Sequence, residues 1–226
     1  MALLLFDIDG TLLAPRGLGR RAFDASLRAL YGRVPEQAFP YDGLMDVAIA
    51  EKTLALLGVD SDDAAVRALL AEYVRRLPAE RPASREGFLC PGVPTVLDEA
   101  ISRGHTLFLL TGNLRSSAYV KLGFFGLEGY FPGGAFSGDA LRRHDLVPVA
   151  LARAARGAGR PFGSSETWIV GDSVHDVRTA RDGGVRCAAV CTGTTPAEAL
   201  RREGPDLLLA DLAAPGPLWA AVEGAP

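Results

Sequence analysis

The chain has 226 residues, 48% of them hydrophobic, which suits one large domain or a domain carrying a smaller insert and excludes wholesale disorder. The formal net charge is −3 and no Lys/Arg cluster occurs, so nucleic acid is not an expected partner. The apolar Met1 to Phe6 runs straight into Asp7 and Asp9 without a basic flank, and no apolar run reaches membrane-spanning length. No membrane association and a cytoplasmic location are expected. Cys90, Cys187 and Cys191 form no disulfide framework and suit a reducing compartment.

Leu3 to Phe6 reads as a short buried strand that ends at Asp7. From Leu13 to about Pro91 the pattern turns helical, with apolar residues at helical spacing in Ala22 to Tyr31, Asp46 to Leu57 and Asp62 to Leu77. Pro78 to Pro94, rich in Pro, Arg and Gly, reads as a linker. A helix is then expected over Val93 to Arg103, a strand over Thr106 to Leu110, and a helix over Arg115 to Leu122. Ala135 and Phe136 mark a weak strand, and Val147 to Arg156 a helix. A strand over Thr167 to Val170, a helix over Val174 to Asp182, and strands over Arg186 to Val190 and Leu207 to Leu209 complete the series. Short apolar runs alternating with helices predict an α/β fold, a Rossmann-like parallel sheet with helices on both faces. The helical stretch predicts an inserted all-helical domain over residues 15–90, within a core formed by residues 1–14 and 91–226.

Polar residues gather where the predicted strands end, the edge at which open α/β sheets bind ligands. Asp7-Ile8-Asp9-Gly10-Thr11 places two carboxylates close together, a repulsion that a divalent cation or a proton relieves, and Gly10 lets the backbone approach a phosphate. Thr111-Gly112-Asn113 offers a hydroxyl and amides at a strand end and helix start, suited either to phosphate or to plain helix capping. In Gly171-Asp172-Ser173-Val174-His175-Asp176 the two aspartates lie one helical turn apart and can face one cavity, where hard oxygens suit magnesium. His175 reads as an exposed loop residue, His105 and His144 as surface residues, Trp168 as strand core, and Trp219 as packing a terminal helix.

These three groups, in this order and spacing, resemble the haloacid dehalogenase-like (HAD) hydrolase superfamily, and the insert resembles the helical cap of its phosphoglycolate-phosphatase-like branch. The resemblance implies a phosphatase of the phosphoric monoester hydrolase class acting on a small phosphorylated metabolite. Asp7 is then the nucleophile that forms an aspartyl-phosphate. Asp9 is the acid and base, with a raised pKa that partial burial would supply. It implies Mg2+ held by Asp7, the Asp9 carbonyl and Asp172, with Asp176 and Ser173 behind them. Gly10, Thr111, Gly112, Asn113 and a basic residue would bind phosphate. That basic residue is usually a lysine shortly before the last motif; here Lys121 comes too early, and Arg142 or Arg143 stands in the place, Arg143 by alignment. The helical cap would exclude water and choose the substrate. Leu44 and Met45 replace the basic and hydroxyl residues of a related cap loop, which argues against phosphoglycolate. Relatives are usually monomers or homodimers. A phosphotransferase or sugar-phosphate mutase on the same fold is the alternative, followed by a non-catalytic phosphate- or metal-binding module.

Overall fold

The computed structural model describes residues 1–14, 16–37, 39–83 and 87–224. Part of the expected linker, residues 84–86, and residue 15 at the expected domain boundary lie outside them. Six strands form one parallel sheet in the order β3-β2-β1-β4-β5-β6, the Rossmann-like order. They are β1 (Leu3–Phe6), β2 (Thr106–Leu110), β3 (Gly134–Ala135), β4 (Thr167–Gly171), β5 (Arg186–Val190) and β6 (Leu207–Leu209). β1 is central, and Phe6 lies beside Leu109 on one side and Val170 on the other.

Strand residues alternate between the two faces. Leu4, Phe6, Trp168 and Val170 pack under α4 (Val93–Ser102), α5 (Arg115–Gly123) and α9 (Gly216–Glu223). Leu3, Leu5, Ile169 and Cys187 pack under α6 (Leu146–Ala158), α7 (Val174–Asp182) and α8 (Ala197–Glu203). Both faces being covered explains why the strands read as unbroken apolar runs.

The chain leaves this sheet after β1 for α1 (Leu18–Tyr31), α2 (Asp46–Leu56) and α3 (Asp63–Arg76). Phe23, Leu27, Ile49, Leu54, Leu69 and Tyr73 make a separate apolar cluster among these helices. Asp62 caps α3 by accepting from the Ala65 N–H (2.8 Å). Backbone bonds from Ala14 N–H to the Phe88 carbonyl (2.7 Å) and from Cys90 N–H to the Leu12 carbonyl (3.0 Å) tie the outgoing and returning segments together. Among the described residues, no helix is long and apolar enough to cross a membrane.

Several local expectations change. α1 begins at Leu18, four residues before the expected start, because left-handed Gly17 turns the chain into it. α8 was not expected, and β3 is only two residues long. His105 is buried, not superficial: Nδ1 accepts from the Ala2 N–H (3.1 Å), and the ring stacks on Trp219 because α9 lies over the start of β2. His175 lies in α7, half-buried, with its ring where a Cβ on Gly43 would sit.

Gly92 turns the returning segment into α4 at φ 81°, and a Cβ there would overlap the Leu212 backbone. Gly92→Ala combines left-handed strain with that overlap and should cost roughly 2–4 kcal/mol, lowering Tm by about 5–10 °C in thermal melts.

Candidate active site

Three strand ends bring the expected residues together. Asp7 follows β1 and extends the ladder, its N–H donating to the Val170 carbonyl (3.0 Å). Asp172 follows β4, and Asp176 stands in the first turn of α7. Oxygens of Asp7, Asp172 and Asp176 lie within 4.8 Å of one another, and all three residues are buried. A Cβ on Gly10 or Gly193 would overlap the Asp172 carboxylate, so only glycine permits that packing. Thr11 donates its hydroxyl to Asp172 Oδ1 (3.0 Å).

Asp176 has both oxygens engaged. Oδ2 accepts from the Ser173 N–H (3.0 Å) and hydroxyl (2.6 Å), while Oδ1 accepts from Arg143 Nη2 (2.6 Å). Ser173 thus caps α7. The Arg143 guanidinium also stands 3.3 Å from Asp7 Oδ1 and donates to the Gly43 carbonyl (3.1 Å). Its Nε is buried with no hydrogen-bond partner among the described residues. Arg142 points away and pairs with Asp145 (3.0 Å). Of the two arginines, Arg143 is the one in the site.

Asp9 opens into the cavity, its side chain 47% exposed. Its Oδ2 accepts from Lys121 Nζ (2.6 Å) and Asn113 Nδ2 (2.9 Å). Lys121 also donates to Asn113 Oδ1 (2.7 Å), and Asn113 Nδ2 donates to the Thr111 hydroxyl oxygen (2.8 Å). Asn113 therefore supports Asp9. Gly112 seats the Leu44 carbonyl where a Cβ would be, and its own carbonyl accepts from the Asp46 N–H (2.7 Å).

Asp46 completes that seat: Oδ2 accepts from the Leu114 N–H (2.8 Å) and the Ser117 hydroxyl (3.0 Å) at the start of α5. The sequence reading missed Asp46, and it missed Lys121 as a member of the site. The available signal was the spacing of Ser117 and Lys121, one turn apart on the buried face of α5, with Lys121 one of only two lysines in the chain.

Burial pushes the Asp7 carboxyl up to about 6; Arg143 opposes the rise and Asp176 adds to it. Burial, then repulsion from Asp176 and Asp7, pushes Asp172 up to about 8. Asp9 behaves differently. Burial pulls it upward, but the charge and hydrogen bond of Lys121, with Asn113, hold it below the usual carboxylate range. The raised pKa expected for Asp9 is therefore not seen, and Lys121 is the reason. Burial alone would lower Arg143 and Lys121; the surrounding carboxylates raise both.

Four carboxylates thus face two cations. Buried hard oxygens with surplus negative charge, two of them holding protons unusually tightly, fit a divalent cation. Beside them lies a cavity of about 310 Å³, floored by Asp7, Asp9, Asn113, Lys121 and Arg143 and roofed by Phe23, Phe39, Tyr41 and Tyr73.

The sequence profile described as haloacid dehalogenase-like hydrolase matches residues 4–181. The chain belongs to the haloacid dehalogenase-like hydrolase family. Within the HAD family it is similar to a 5'-nucleotidase of Pseudomonas aeruginosa, 26% identical over 93% of this chain and 92% of that protein. It is also similar to phosphoglycolate phosphatase 1 of the same organism, 28% identical over 93% of this chain and 76% of that protein. A crystal structure of a hydrolase from Pseudomonas syringae shares the HAD fold at TM-score 0.71 and 16% identity, covering 96% of this chain and 97% of that one.

The raised carboxyls set a pH dependence. Asp7 and Asp172 hold protons in the folded state above the pH at which they lose them when unfolded. Stability of the metal-free protein should therefore fall from about pH 4 to about pH 8. Mg2+ should raise Tm more at pH 8 than at pH 5 in differential scanning fluorimetry against EDTA, since at pH 5 it must displace protons.

Proposed function

We propose that this HAD hydrolase is a magnesium-dependent phosphatase that cleaves small phosphate monoesters through an aspartyl-phosphate on Asp7. The observation that carries the reading is the pairing of two differently held carboxylates. Asp7 is buried between Arg143 and the Asp172–Asp176 pair, while Asp9, two residues on, opens into the cavity. Such divergence marks separate roles for neighbouring acids.

Asp7 attacks phosphorus in line, forming its O–P bond as the bond to the leaving oxygen breaks. Asp9, its Oδ2 fixed by Lys121 and Asn113, uses Oδ1 to pass the leaving oxygen a proton brought by the monoanionic ester. It then removes a proton from the water that attacks phosphorus and frees Asp7, and passes that proton to the departing phosphate, which restores the carboxylate. The depressed pKa of Asp9 keeps it ionised and free to accept that proton, as a weaker base than an ordinary carboxylate. Asp7, the Asp9 carbonyl and Asp172 would hold Mg2+, which when bound supplies charge neutralisation for an incoming phosphate. Asp176 and Ser173 stand behind these ligands. Thr111 and Arg143 hold phosphoryl oxygens, Arg143 through its unpartnered Nε among other donors, and Gly10 gives the backbone room.

Residues 15–90 serve as the cap over the core of 1–14 and 91–226. The cap loop is docked on the core, with Gly43 held by Arg143, Asp46 by Leu114 and Ser117, and the Val47 N–H by the Ser137 hydroxyl (3.1 Å). The aromatic roof and Leu44 favour a leaving group larger than glycolate, and Arg16 and Arg20 on the same lining can meet negative charge on it; release is in the cytoplasm.

Asp7→Asn should abolish Mg2+-dependent hydrolysis of p-nitrophenyl phosphate, a loss of at least about 10³-fold in kcat by removal of the nucleophile. Equal rates for variant and wild type would defeat the reading.

A further inference from the structure

We propose that Lys121 is a positioning residue of this site, whose ammonium fixes Asp9 so that Oδ1 meets the leaving oxygen. The inference rests on the phosphatase reading and goes beyond it, since the basic residue expected there is Arg143 and that place is filled.

Lys121 reaches the site from an unusual origin. It stands six residues after the first residue of α5, about 9 Å along the axis from the strand ends. Helical side chains lean toward the N-terminus, and the four-carbon stem spans the remaining distance. The residue is 4% exposed, yet Nζ lines the cavity, between Asp9 Oδ2 (2.6 Å) and Asn113 Oδ1 (2.7 Å). A Cβ on Gly19 in α1 would stand 3.3 Å from Nζ and 3.2 Å from the Tyr73 hydroxyl. Cap and core therefore close around the ammonium.

Burying an ammonium against a half-open carboxylate is a poor way to stabilise a fold, because desolvation offsets most of the attraction. Ala118 and Leu122, its neighbours on the same face, are apolar core residues, so a hydrophobic residue would suit folding at least as well. What the lysine adds is direction. Together with Asn113 it occupies one oxygen of Asp9 and so determines which oxygen addresses the substrate. Asn113 is held in turn by the Thr111 hydroxyl, which ties Asp9 to the end of β2.

The test is leaving-group dependence. A nitrophenolate departs without a proton, whereas an alkoxide needs one, so misplacing Asp9 penalises alkyl phosphates selectively. Wild type, Asp9→Asn, Lys121→Met and Lys121→Arg are assayed in Mg2+ on p-nitrophenyl phosphate and on the fastest alkyl phosphate of a panel. Lys121→Met should lower kcat/KM, which reports phosphoryl transfer to Asp7 and not the later hydrolysis that both substrates share, by about 10²-fold on the alkyl ester and by no more than about fivefold on p-nitrophenyl phosphate, as Asp9→Asn should. Lys121→Arg should recover part of the loss on the alkyl ester. Equal losses on both substrates in both Lys121 variants, or no loss in Lys121→Met, overturn the assignment of Lys121 alone. Wild type inactive on every ester overturns the phosphatase reading together with it.

Discussion

The structure turns on surplus negative charge gathered where two neighbouring parallel strands, β1 and β4, stop. Asp7, Asp9, Asp172 and Asp176 come together where, among the described residues, two basic side chains pair with them, Arg143 and Lys121. A folded protein tolerates this only if charge is removed by protonation or balanced by a cation. The raised carboxyls of Asp7 and Asp172 are the sign of that conflict in the protein alone. The N-terminus of α7, beside Asp172, adds partial positive charge without closing the gap. A divalent ion would close it, and would let an anionic phosphate ester enter a site that otherwise repels it.

The two cations divide the work. Arg143 grips Asp176, lies against Asp7 and holds the Gly43 carbonyl, so one side chain links both acidic strand ends to the loop before α2. Lys121 grips Asp9 and, beside it, Asn113. This division explains how carboxyls two residues apart are driven in opposite directions, Asp7 upward by burial and Asp9 downward by a contact ion pair that outweighs its burial. The segment leading into α2 is held by polar contacts at defined points, of which Asp46, seated against the start of α5, is the most buried. Contacts of this kind can break and re-form as substrate enters.

Much of the fold was legible because parallel strands covered on both faces must be apolar throughout. Leu3–Phe6, Thr106–Leu110 and Arg186–Val190 therefore announced themselves, and the acidic residue after a strand is visible in one dimension. β3 was nearly invisible because two residues, one of them glycine, carry no periodicity. Contacts made by long side chains across the fold were illegible for a different reason. Nothing local in Tyr119-Val120-Lys121 says that the lysine stem turns toward Asp9, 112 positions away. Likewise His105 looks polar in sequence, and only the lie of α9 over β2 buries it against Trp219.

If the acidic cluster of Asp7, Asp172 and Asp176 holds one divalent cation, binding requires Asp172. Titrating the metal-free protein with Mn2+ at pH 8, and counting bound ions by electron paramagnetic resonance of the free ion, tests it directly. The account predicts one tight site per chain in wild type and its loss in Asp172→Asn. Saturating binding that survives Asp172→Asn unchanged, or no tight site in wild type, would contradict it.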